Sequence, residues 1–213
     1  MTEKEVLHYW NYFCSLTRRL QNTTQYVDHR ADNNGNLKNG NVCSFEFQQI
    51  ITLAAIEFEN VSKIICLEID PDFNYKSSSI KNITKKILKE YPLITETEID
   101  SDYQMLKPLE GWHIGKDKKD EEGKEGKDKV FGLEWWNDNT DLKHQAFIRF
   151  DSATLKNAVS SVASLMVMEL YLMQIMLKTL VMAIDKKCDY FVCNYAGNIL
   201  YTGGEQLPDF QKE

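Results

Sequence analysis

Thr140 and His144, four residues apart, carry the strongest chemical suggestion in this sequence. On a helix such a pair shares one face, so a hydroxyl and an imidazole stand one turn apart, with Asn137 and Asp141 as a neighbouring row. A neutral imidazole exchanges protons at cellular pH. It can serve as general base towards a ribose 2′-hydroxyl or as general acid towards a leaving oxygen. Lys143 would bring positive charge to a developing phosphorane, as a point charge rather than a planar fork. Arg149, five residues beyond His144, reaches the same place if 145–149 is a loop. The plainer account of the same residues is a hydrogen-bonded histidine at a helix end, a solvated lysine, and Trp135 and Trp136 packing a bundle.

All of these side chains lie in LEWWNDNTDLKHQAFIRF, residues 133–150, directly ahead of the longest apolar run in the chain. The order Trp135-Trp136, two residues, Asn139-Thr140, one residue, Leu142-Lys143-His144, then a phenylalanine and a long apolar helix, resembles the signature segment of HEPN-like helical proteins. The resemblance spans roughly 5 to 70 and 130 to 185 and is more specific in the second stretch. It implies a metal-independent endoribonuclease of a toxin or phage-defence system, working without a cofactor on RNA in the cleft of a homodimer. His144 matches the family histidine and Thr140 the family's polar position. Asn139 stands where the family carries an arginine, and an amide does not grip a phosphate bidentately as a guanidinium does. The resemblance therefore gives His144, Lys143, Thr140 and Asn139 as catalytic candidates, with Asn137, Asp141 and Arg149 as polar or phosphate support. The departure at 139 keeps a second expectation open: a non-catalytic helical module that dimerises or holds a protein partner through the methionine-rich last helix.

A formal charge of −7 over 213 residues excludes broad electrostatic attraction to nucleic acid, which depends on phosphate neutralisation, so an RNA-directed role needs a local cluster of cations. The only arginines are Arg18, Arg19, Arg30 and Arg149. Arg18 and Arg19 are either helix-end charges or a substitute for the arginine missing at 139. Five scattered cysteines with no C-x-x-C pair fit reduced thiols and make zinc an unattractive ligand. The charged start, MTEKEVLHYW, has no signal-peptide core, and a cytoplasmic location is expected.

The elements that must hold the site follow from periodicity. Val6, Tyr9, Trp10, Phe13, Leu16 and Leu20 recur at helical spacing between Val6 and Tyr26. A turn-rich loop at 32–41 follows, and Ser44 caps a second helix running to about Glu68, with Glu59 and Lys63 as a surface pair. Glu57, at the edge of that helix's apolar stripe, is either hydrated or turned towards His144. A third helix starts near Ser79 and stops at Pro92. Residues 93–130 are irregular or extended, with 115–129 a charged flexible loop lacking apolar residues. A last helix, capped by Asp151 or Ser152, extends towards Lys187. Unbroken it would measure roughly 50 Å, so a kink is expected. Glu169, Gln174 and Lys178 interrupt its apolar run, which argues for a core helix and against a membrane span. The expected architecture is all-α: an antiparallel bundle of four to five helices forming one domain over 1–187, followed by a C-terminal hairpin and tail at 188–213.

Overall fold

A computed structural model of the chain describes residues 2–101, 104–116, 128–145, 148–177 and 191–192. It is mostly helical: α1 (Glu3–Asn22), α2 (Phe45–Ile69), α3 (Ile80–Glu90), α4 (Glu134–Gln145) and α5 (Leu155–Leu177) enclose one hydrophobic core. Short strands β1 (Ile99–Ser101), β2 (Met105–Leu106), β3 (His113–Lys116), β4 (Asp128–Phe131) and β5 (Phe191–Val192) complete it.

Each helix start has a local chemical reason. Thr2 opens α1 with a capping box, its hydroxyl facing the Glu5 N–H at 3.4 Å while the Glu5 carboxylate accepts from the Thr2 N–H at 2.7 Å. Ser44 and Ser79 cap α2 and α3 by accepting from Phe47 N–H and Asn82 N–H. The last helix begins later than Asp151 or Ser152. Those two residues belong to a 3₁₀ turn, and the Thr154 hydroxyl accepts from the Asn157 N–H at 3.1 Å. The chain before α2 is laced to this start, with Ser44, Leu155 and Lys156 N–H donating to Ala153, Val42 and Gly40 carbonyls. Residues 178–187, where a break was expected, lie outside the described residues.

α5 packs most extensively on α2 and next on α1. The α2 stripe of Phe47, Ile50, Ala54, Phe58, Val61 and Ile65 is sealed against it, each large side chain contributing about 1.5–3 kcal/mol of burial. Residues Leu155–Met176 are long and apolar enough to cross a membrane by composition, but 78% of the most apolar stretch is buried inside the chain. That surface is spent on the core. Met166, Met168 and Met173 are fully buried and Met176 is half-buried against the same core, so these methionines serve the packing of the chain itself. Met182 lies outside the described residues.

The segment between α3 and α4 turns back on the bundle as two small antiparallel sheets, ordered β2-β1-β5 and β3-β4. The β3-β4 ladder pairs Gly115 with Lys129 and Lys116 with Asp128, so the ends of the tract expected to be a flexible loop are strands; 117–127 lie outside the described residues. Gly115 leaves room for the Phe131 ring, which a Cβ at 2.7 Å would force to shift. Of the expected C-terminal hairpin only 191–192 are described, and they pair with β1, Asp100 opposite Val192.

Candidate functional site

α4 has two faces with different fates. Trp135, Asn139 and Leu142 point inward against α2 and α5. Trp135 Nε1 donates to Ser164 Oγ at 2.9 Å, and Ser164 in turn donates to the Pro108 carbonyl, which ties α4, α5 and the preceding loop into one unit. Thr140, Lys143 and His144 point outward and are exposed.

This division corrects the expected catalytic set. Asn139 is 1% exposed and its Oδ1 has no partner among the described residues, so position 139 faces the core and meets no solvent anion. Thr140 spends its hydroxyl proton on the Trp136 carbonyl one turn back, at 3.1 Å. Arg149 does fold back onto α4, but onto Asp141, with Nη1 at 3.2 Å, and its Nε is 3.7 Å from Asp151. It is neutralised by its own chain. Arg19 is held by Glu46 at 2.8 Å and Gln49 at 2.9 Å, so it does not replace the missing guanidinium. His144 and Lys143 remain side by side in the last turn, with no hydrogen bond or ion pair to any described residue.

The other acids of α4 are tied as well. Glu134 accepts from Lys156 Nζ at 2.9 Å, and Asp138 accepts from Asn157 Nδ2 at 2.7 Å. Three acids are thus satisfied from within, and two basic groups at the helix end are not.

Beside α4 runs a cleft of about 330 Å³. Phe58, Trp112 and Trp136 form its aromatic surface; Lys81 of α3 stands on one rim, and Asn137, Thr140 and Asp141 of α4 stand on the other. His144, Lys143 and Arg149 lie outside it. The support residues Asn137 and Asp141 therefore belong to a different feature from the imidazole they were expected to assist.

A second titratable cluster is hidden between α1, α2 and α5. Glu169 is fully buried, neither carboxyl oxygen has a partner among the described residues, and burial first, then the neighbouring Glu57, raises its pKa well above the ordinary carboxylate range. Glu57 is largely buried beside Glu169 rather than turned to His144: it accepts from Asn60 Nδ2 at 3.3 Å and is pushed up by burial against the opposing pull of Asn60 and His8. Tyr9 and Tyr12 flank the pair, and burial raises both phenols, with Glu57 adding to the effect. In the sequence Glu169 shows only as a charge interrupting an apolar run; its pairing with Glu57 across 112 positions needs the fold. Among the described residues no group of three or more His, Cys, Asp or Glu could hold a metal ion.

Comparison with family models, curated proteins and solved structures gives no match for this chain.

Proposed function

We propose that this is an RNA-directed helical protein of HEPN-like character that contacts the phosphate backbone through the end of α4. The observation that supports it is which side chains of that helix are left uncommitted: Glu134 and Asp141 are ion-paired with Lys156 and Arg149 and Asp138 accepts from the neutral Asn157 amide, whereas exposed Lys143 and His144 have no partner among the described residues. Lys143, with the hydrogen-bonding ring of His144 beside it, forms a small contact site on an acidic molecule, the local patch that phosphate contact demands. The Lys143 ammonium also relieves the C-terminal end of the helix dipole. Binding without strong catalysis fits this arrangement best, because no guanidinium is held against the imidazole to grip a scissile phosphate. The reading includes a cytoplasmic location, where Cys14, Cys43 and Cys66 would stay reduced.

Fluorescence anisotropy with a labelled single-stranded RNA tests it. Replacing both groups, Lys143→Ala with His144→Ala, is expected to weaken binding at least tenfold, or about 1.4 kcal/mol. Unchanged affinity in that double variant removes the proposal.

One observation favours a cleaving enzyme of toxin or phage-defence type as a second reading: His144 is exposed and its ring is not committed to any described hydrogen bond. Labelled RNA incubated with wild type and with His144→Ala distinguishes the two. Wild-type fragments that vanish in the variant support cleavage; identical traces leave recognition alone.

A further inference from the structure

The cleft between α3 and α4 has a chemistry that the α4 end does not use. Its aromatic surface is fixed rather than adaptable. Trp112 is 2% exposed and its Nε1 donates to Thr84 Oγ1 at 2.9 Å, which locks the indole from below. Phe58 meets Trp112 at 5.7 Å and 60°, and meets Trp136 at 5.7 Å and 49°. Phe58 and Trp112 are almost wholly buried and form the floor, while Trp136 is only half-buried and is the ring a flat guest would meet.

The rims decide what that guest carries. Lys81 lies in the first turn of α3 and is exposed, with no hydrogen bond or ion pair among the described residues. The positive end of the α3 dipole lies beside it and favours the same sign of ligand charge. On the opposite rim the one acid, Asp141, is held by Arg149 at 3.2 Å, so it does not cancel Lys81. Asn137 is exposed at the mouth and offers an amide donor and acceptor. At about 330 Å³ the cleft lies at the small end of ligand sites, which run from about 300 to 1,000 Å³. It holds a single or fused bicyclic ring system and little more.

The geometry points to a binding site for a small flat aromatic molecule bearing one anionic group, its ring against Trp136 over the buried floor of Phe58 and Trp112, its charge on Lys81 and its edge on Asn137. The ring supplies apolar burial and the anion supplies orientation. This site is independent of the RNA reading, since Lys81 and α3 take no part in the Lys143 and His144 contact at the end of α4.

Isothermal calorimetry of the whole protein with quinoline-2-carboxylate tests it, with uncharged quinoline as the comparison. The expected result is saturable binding of the carboxylate, weakened about tenfold by Lys81→Gln, with quinoline binding unchanged by that substitution. Asn137→Phe, which fills the mouth from an exposed helix position, is expected to abolish binding of both compounds. Circular dichroism melting checks that each variant keeps its fold. No heat at millimolar carboxylate overturns the proposal. So does equal affinity in wild type and Asn137→Phe, which places the ligand elsewhere, and so does a Lys81→Gln effect that is the same for both compounds. RNA affinity measured in the same two variants is expected to stay at the wild-type value, so failure here and failure of the RNA reading are separable.

Discussion

Glu169 is the residue whose chemistry is most at odds with its surroundings. Its carboxyl group has no hydrogen-bond partner among the described residues at the centre of a helix whose neighbours are Met166, Met168 and Met173. A buried polar group left unpaired costs about 1–3 kcal/mol, so Glu169→Met, which keeps length and fills the site with a flexible apolar chain, is expected to stabilise the protein by that amount. The pH dependence has a definite sign. Because the folded-state pKa is raised, the stability linked to this proton is fully present below the unfolded value near 4.5 and is lost as pH rises towards the folded value. Urea unfolding at pH 6 and pH 8.5 should show wild type weakening with rising pH and the variant weakening less; parallel curves would mean the carboxyl is not buried. His29 works in the other direction. It is 1% exposed, its Nε2 lies 2.9 Å from Thr23 Oγ1, and burial depresses its pKa to about 4. The unfolded chain takes up a proton first, so its contribution is intact above pH 6.5 and declines as pH falls towards 4. In His29→Gln the loss of stability between pH 7 and pH 5 is expected to be smaller than in wild type.

At the scale of elements, caps and periodicity were readable, and the facing of α4 was not. Ser44 is a direct case: Ser44→Ala removes the acceptor for the Phe47 N–H and is expected to cost about 1 kcal/mol, visible as a lowered urea midpoint with unchanged slope. The same local logic located α1, α2 and α3 and the Glu59–Lys63 pair, which closes at 2.6 Å. It works because a cap, a stop or a stripe depends only on residues within a few turns. The inward face of α4 depends instead on what α2 and α5 bring to it. Thr140 and His144 do share a face, as their spacing demands, but the spacing does not say which face is buried, and the inward one took Asn139. Arg149 shows a related limit. Its return to α4 was legible, while its capture by Asp141 and Asp151 required the 3₁₀ turn at Phe150–Ser152 that precedes α5.

At the scale of the molecule, an acidic chain that meets RNA through Lys143 and His144 is expected to bind weakly and with a shallow salt dependence. One lysine–phosphate contact to a single strand corresponds to a slope of about −0.7 in log K against log salt. A slope several times steeper would mean a basic surface other than the α4 end. Self-association would change this, because two copies present twice the contacts to one strand. The surface beside α4 has the composition for it. Phe45 is 73% exposed and meets Phe150 in a tilted contact with ring centroids 4.7 Å apart, and Ile148, two residues before Phe150, is 74% exposed. Large exposed apolar side chains grouped next to the proposed contact site are the kind of surface on which a second copy of the chain would seat. Light scattering is expected to give a dimer mass for wild type at tens of micromolar and a monomer mass for Phe45→Asp with Ile148→Asp, both exposed positions where a charge leaves the core untouched. The dimer should bind RNA with a slope of about −1.4 and the monomeric variant with one of about −0.7, by the same relation of about −0.7 per lysine contact. A monomeric wild type would leave the apolar patch without this role and confine the contact site to Lys143 and His144 of one copy.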